Sequence, residues 1–494
     1  MGRSNASFRV LVGVSVSSYL ATNLLFGHEK KGEHMSGFKR SVLIAILVLT
    51  TAGWATAGPL VDYVQPPDPS YTYEIQSTIS GPGYTAYVVR MTSQTWRGIV
   101  WWHWLTIVKP DTVLHSDKAL LFVDGGSNTG GPPTTVDGNL VTVAALTGTV
   151  VADVKQVPNQ PLFGNMYEDT IIAYTFDRFL VEGDPTWPLL LPMVKSAVSA
   201  MDTVQAVSET EFSQEISGFV VTGGSKRGWT TWLTGAVQDP RVMGIAPLII
   251  DVLNIAPQMQ HQLDCYGEYS FEIEDYTLLH LQERMSSPEG AALLAIVDPY
   301  EYRDVLTLPK LILLGTNDPY WTVDAANLYF PDLQGEKYLH YMPNTGHDAD
   351  AGGTLALAAF YQTVLTGEQR PRFDWDVEFD GTFEVRATDL PVQVGLWRAN
   401  SSDRDFRNET WSSTVLTGTS GVYRGRISRP PSGWTAFYVE LIYHSSLGFD
   451  YGLSTSMTVL PQWLPYGAVP VTTATGIGVL AASLAGCAIY SRRK

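Results

Sequence analysis

Between residues 58 and 370 short apolar runs alternate with longer amphipathic stretches. Residues 119–123 (Ala-Leu-Leu-Phe-Val), 149–152 (Thr-Val-Val-Ala), 218–222 (Gly-Phe-Val-Val-Thr), 243–250 and 311–314 (Leu-Ile-Leu-Leu) carry almost no charge. Runs of that length without alternation read as strands buried on both faces. Stretches such as 188–207 and 354–366 read as the helices between them. Strands separated by helices predict βαβ units around a mostly parallel sheet, an α/β domain over 58–370 large enough for a substantial core.

After residue 370 the period changes to two. Phe373, Trp375, Val377 and Phe379 alternate with Asp374, Asp376 and Glu378, and residues 383–387, 394–398, 422–427 and 434–443 keep the short-strand rhythm. With a turn at Asp380-Gly381, this predicts a small antiparallel β-sandwich over 371–460. Asp374, Asp376 and Asp380 read as its solvated face rather than a calcium site.

The ends differ from the body. Residues 35–57 combine Lys39-Arg40, an apolar run and Ala55-Thr56-Ala57, the pattern of a secretory signal peptide, so 1–57 is expected to be a leader. Residues 1–34 then read as the product of an upstream start codon; the competing reading makes 8–26 a hydrophobic segment in its own right. Residues 461–494 read as a linker, an uncharged run at 468–490 and the basic tail Arg492-Arg493-Lys494, a stop-transfer pattern. The expectation is a single-pass cell-surface protein, its N-terminal ectodomain extracellular or periplasmic and its membrane partner engaged by the C-terminal helix. A sorting or lipid-anchor signal is the alternative for that tail.

Charge then excludes a class of function. The chain has 32 Lys and Arg against 49 Asp and Glu, a net charge of −17. Setting aside the six basic and two acidic side chains of 1–57 and the three basic ones of 469–494 leaves 23 against 47. A body that acidic repels phosphate backbones, so no nucleic-acid partner is expected. Two cysteines, Cys265 and Cys487, exclude a disulfide scaffold and Cys-rich metal sites. With no His-Glu-x-x-His, Walker or dinucleotide motif, neither metal nor cofactor is expected.

Three segments carry candidate chemistry. The first is Gly223-Gly224-Ser225-Lys226-Arg227-Gly228, which follows a buried strand and opens a helix. A nucleophile elbow needs small residues there because the strand-to-helix turn is tight. Gly223 stands two before the serine, but Arg227 replaces the usual glycine two after it. The second is Asp318, on the loop after 311–314. The third is His347, at the end of Asn344-Thr345-Gly346-His347. Ser225, Asp318 and His347 therefore stand in the chain order of an α/β-hydrolase triad, each at a strand's carboxyl end. Asp251, after 243–250, is the competing acid. Backbone N–H groups of Lys226 and of Gly126, in the glycine turn after 119–123, are the candidate oxyanion donors. Lys226, Arg227, Tyr320 and Trp321 are candidate substrate contacts, with 251–297 as a cap over the cleft. Trp187 and Tyr266 are weaker candidates, and His103 reads as a core histidine.

These residues, with Trp101-Trp102-His103-Trp104 and the segments 122–126, 157–162, 168–175 and 193–202, resemble the PhoPQ-activated pathogenicity-related proteins over about 71–460. The resemblance implies an α/β-hydrolase fold with a β-rich C-terminal part, and leaves the substrate open. The elbow is also similar to that of glucuronoyl esterases, in which an arginine follows the serine and assists the oxyanion; Lys226 stands here instead. The combined expectation is a serine hydrolase acting on an ester or a peptide outside the cell. The alternatives are a binding or signalling protein on a hydrolase scaffold, engaging a protein partner, and a structural envelope protein.

Overall fold

The computed structural model describes residues 58–466. Three long strands, β1 (Thr72–Gly81), β2 (Tyr84–Trp96) and β3 (Ile99–Pro110), form an antiparallel meander. Six strands follow: β4 (Lys118–Val123), β5 (Val150–Val154), β6 (Gly218–Gly224), β7 (Val242–Leu248), β8 (Lys310–Gly315) and β9 (Lys337–Met342). All neighbours among these six are parallel, and β5 lies between β3 and β4, so the order is β1-β2-β3-β5-β4-β6-β7-β8-β9. The result is an α/β fold with a mixed sheet.

Helices cover both faces, which is why the central strands are apolar without alternation. On one face lie α2 (Gly138–Thr147) and the late helix α10 (Ala351–Thr366); on the other lie α4 (Leu190–Phe212) and α5 (Lys226–Ala236), with α1 (Pro59–Val64) packed on α4. Consecutive strand residues divide between two cores. Leu121 and Val221 join Met193, Met201 and Trp232, whereas Leu120 and Val220 join Val143, Ala144 and Phe360. Each fully buried side chain of this size stabilises by about 1.5–3 kcal/mol. The helix ends are set locally: Asp137 and Asp350 cap α2 and α10 through Asn139 N and Gly353 N, both at 2.8 Å, and Gly148 and Gly367 end them at φ 62° and 70°.

Five further α-helices complete the α/β part. α3 (Glu168–Glu182) follows β5, and between β7 and β8 come α6 (Ile255–Tyr266), the single turns α7 (Glu274–Thr277) and α8 (Leu281–Arg284), and α9 (Pro288–Val297). This excursion is the segment expected to cap the cleft.

The C-terminal strands form two antiparallel layers, as the period-two pattern implied, but they do not stand apart from the main sheet. β10 (Phe373–Val377), β11 (Thr382–Ala387) and β14 (Val422–Arg426) make one layer. β12 (Gln393–Ser401), β13 (Ser412–Val415), β15 (Trp434–His444), β16 (Asp450–Ser454) and β17 (Thr458–Leu460) make the other, and β16 pairs with β9 at Ser454–Leu339. His340 Nδ1 meets Gly452 O at 2.8 Å along the same edge. The pairing extends the sheet to 14 strands and covers an edge that would otherwise expose unpaired backbone. Phe383 against Phe437, centroids 5.7 Å apart, closes the two layers. Asp374 and Asp376 are exposed and paired with Arg386.

The fold expectation needs one correction. Among the described residues no helix is long and apolar enough to cross a membrane. The C-terminal transmembrane helix, and with it the single-pass localisation and the membrane partner, is therefore not supported. The runs that suggested the leader and the anchor, 35–57 and 468–490, lie outside the described residues.

Candidate active site

Ser225 sits at the junction of β6 and α5 with φ 57° and ψ −129°, a conformation that costs a non-glycine residue strain. The junction is tight. A Cβ on Gly223 would lie 2.7 Å from Val123 O, and one on Gly228 would lie 2.9 Å from both Leu248 O and Gly223 O. The glycine missing two places after the serine is thus supplied three places after it, where α5 crosses β7. Arg227 can occupy the intervening position because its side chain runs out of the turn. It lies over Gly125, with Nε donating to Val157 O at 2.5 Å and Nη2 to Glu168 Oε1 at 2.7 Å.

His347 Nε2 lies 2.7 Å from Ser225 Oγ, and His347 Nδ1 lies 2.8 Å from Asp318 Oδ2. Asp318 is buried, and its second oxygen accepts from Tyr320 N at 2.9 Å. The Tyr320 ring lies over the imidazole with centroids 4.2 Å apart. Asp318 and His347 are therefore each fixed by Tyr320 as well as by each other. The three residues expected from chain order come together from the ends of β6, β8 and β9.

Asp251, the competing acid, lies buried behind Asp318, with Oδ1 lacking a hydrogen-bond partner. Burial, with the charge of Asp318 adding to it, pushes its carboxyl up to about 7. His347 bonds Asp318, not Asp251.

The turn after β4 brings Gly125 and Gly126 against β5. Gln156 N donates to Gly125 O at 2.8 Å, and Gln160 Nε2 to Gly126 O at 3.0 Å. Gly126 has φ 123°, which glycine tolerates without strain. The Lys226 N–H is the first of α5 and has no partner within the helix. The side chain of Lys226 is engaged elsewhere: buried, it bridges Glu168 Oε2 and Asp169 Oδ2, both at 2.9 Å. Burial alone would raise Glu168, but Arg227 and Lys226 outweigh it and hold the carboxyl down at about 2. This four-residue network fastens the start of α3 to the start of α5. Its acidic half escaped sequence reasoning, although two adjacent acids opening a helix were a usable signal.

Beside Ser225 and His347 opens a cavity under the cap, with Trp229, Ile250, Met259, Tyr320 and Trp321 among its walls. Trp187 is not part of it; it packs with Trp96, Phe163 and Tyr174, Arg97 stacked on its face at 3.3 Å. Tyr266 lies behind the acid loop. His103 is a core residue, held between Ser93 Oγ at 2.9 Å and Lys155 O at 3.0 Å, and burial drops its pKa to about 4.

Among the described residues one cluster has metal-ligand chemistry: His261, Cys265 and Asp324, whose ligand atoms lie within 4.8 Å of one another. Arg404 enters it from the loop after β12. Its Nη1 lies 2.5 Å from Cys265 Sγ and its Nη2 2.7 Å from Asp324 Oδ2, while His261 Nε2 meets Asp324 Oδ1 at 2.9 Å. The guanidinium already neutralises this buried carboxylate, holding it far below the usual range against the opposing effect of burial. The residues do not fit a metal ion; they tie the cap helix α6, the acid loop and the β-rich part together.

Comparison with known proteins accords with the family resemblance. The family model for "PhoPQ-activated pathogenicity-related protein" matches residues 60–407. "Autocrine proliferation repressor protein A" of Dictyostelium discoideum is 34% identical, over 89% of this chain and 97% of that protein. Solved structures with a similar fold include acetyl xylan esterase 1 of a Thermoanaerobacterium species (19% identity, 62% of this chain and 91% of that one, TM-score 0.45). A glucuronoyl esterase of Solibacter usitatus is another (12% identity, 63% and 93%, TM-score 0.39).

Proposed function

We propose that this chain, which belongs to the PhoPQ-activated pathogenicity-related protein family, is a serine hydrolase that cleaves an ester or peptide bond through Ser225, His347 and Asp318. The observation that carries this reading is the unbroken relay from Ser225 Oγ to His347 Nε2 at 2.7 Å and from His347 Nδ1 to Asp318 Oδ2 at 2.8 Å. Ser225 Oγ attacks the carbonyl carbon as His347 Nε2 takes its proton. The developing oxyanion faces the N–H groups of Lys226 and Gly126, which need no reorganisation to meet it. His347 then protonates the departing alcohol or amine. A water, deprotonated by the same nitrogen, releases the acid and restores Ser225. Asp318 holds the imidazole tautomer and stabilises its charged form.

The full chain is tested on p-nitrophenyl esters and on chromogenic peptides, beside Ser225→Ala. Release of chromophore that disappears in the variant is the expected result, and the substrate panel separates esterase from peptidase. Equal turnover in the variant would overturn the reading.

The relative's name favours a second reading, a repressor of proliferation. Repression by this chain that survives Ser225→Ala unchanged would place its activity outside catalysis.

A further inference from the structure

The cavity under the cap has a hydrocarbon wall. Phe176 of α3, Trp229 of α5, Ile250 after β7, and Met259 and Met285 of the cap all face it, and Ser225 and His347 stand in the same wall.

The charged groups that reach it are already satisfied. Asp169 and Lys226 are paired at 2.9 Å, and Tyr276 OH donates to Asp169 Oδ1 at 2.8 Å. Among the lining side chains the buried polar atoms without a partner are Gln282 Oε1 and Trp321 Nε1. A sugar or a charged acyl group entering here would give up several hydrogen bonds to water and regain at most two. A hydrocarbon chain would lose none.

We infer that this cavity takes the acyl group of the substrate and that the group is a linear aliphatic chain, making the substrate an aliphatic carboxylic ester. The inference rests on the hydrolase reading of Ser225. The ester carbonyl sits at Ser225 Oγ with its chain directed under the cap. Ser225 Oγ adds to the carbonyl carbon, the tetrahedral intermediate then collapses with cleavage of the C–O bond to the alcohol, His347 gives that alcohol its proton, and water later releases the fatty acid. The two methionines suit such a ligand because their side chains adapt to a flexible chain.

The test is a p-nitrophenyl series from acetate to octanoate with the full chain. The expected result is kcat/KM rising about threefold or more per added CH2, as apolar burial requires. Met285→Trp, which fills part of the cavity, lowers the octanoate-to-acetate ratio by about tenfold. Ser225→Ala, independently of turnover, binds octanoate one to one in titration calorimetry. A flat or falling chain-length series from an active enzyme overturns the inference and leaves the hydrolase reading standing. Octanoate binding with neither ester nor peptide hydrolysed overturns the hydrolase reading and supports the cavity's ligand class. Absence of octanoate binding by folded Ser225→Ala overturns the inference whatever the kinetics.

Discussion

Asp318→Asn is expected to lower kcat by about four orders of magnitude, whereas Asp251→Asn keeps it within about threefold. Both acids stand at the carboxyl end of a central strand, and both are buried. The difference is geometric. His347 Nδ1 lies 2.8 Å from Asp318 Oδ2, and Tyr320 N fixes the other oxygen of the same carboxylate. An asparagine at 318 turns part of its bonding capacity from acceptor to donor and offers no charge to stabilise the imidazolium. Asp251 lies behind this pair, with one oxygen unpartnered.

Asp251 should be visible in stability instead. Burial raises its folded pKa to about 7, above the roughly 3.9 of an unfolded aspartate. Between those values the folded state binds the extra proton, so this group's contribution is fully present below pH 4 and is lost as pH rises through 7. Asp251→Asn cannot ionise. Relative to the parent it should gain about 1–3 kcal/mol between pH 5 and pH 8 in urea unfolding. Normal turnover in Asp318→Asn, or its loss in a folded Asp251→Asn, would reverse the assignment of the two acids.

The second large effect is expected at Gly228. Gly228→Ala places a Cβ 2.6 Å from Ile250 Cγ2 and 2.9 Å from two carbonyl oxygens, Gly223 O and Leu248 O. Backbone cannot give way as a side-chain tip can, so α5 must lift from β7. The cost should be about 3 kcal/mol or more of stability. Because Ser225 opens the same helix, kcat should fall by about two orders of magnitude even where the protein remains folded. Gly224→Ala is the control. Its Cβ would meet Ile249 Cδ1 at 3.6 Å, an ordinary contact, and the variant should unfold near the parent. Equal effects of the two substitutions would show that the packing against β7 does not set the elbow.

This glycine also explains where sequence reading succeeds and where it stops. The buried strands were legible because Leu120 and Leu121, or Val220 and Val221, serve two different cores and leave no polar position. The grouping of Ser225, Asp318 and His347 was legible because chain order and strand ends constrain it. The elbow matched its motif imperfectly because the steric demand falls on Gly228, while Arg227 leaves the turn toward Val157 and Glu168. A spacing rule counts residues; the crossing of α5 over β7 decides which of them must be small. Lys226 looked free for substrate because its partners Glu168 and Asp169 lie 57 or more residues earlier, and only the fold brings α3 beside Ser225. The continuity of the sheet through β9 and β16 was invisible for the same reason, since alternation marks a half-buried strand but not its neighbour. The role of Arg404 in joining Cys265 and Asp324 depends on contacts 139 and 80 residues apart.

Covalent labelling tests the central claim most directly. The full chain is incubated with a fluorophosphonate, and the adduct is located by peptide mapping. The expected result is one modified residue, Ser225, with labelling lost in Ser225→Ala and slowed by orders of magnitude in His347→Ala. No label on a protein with an intact cooperative unfolding transition, or label that persists in Ser225→Ala, would contradict an activated serine at the head of α5.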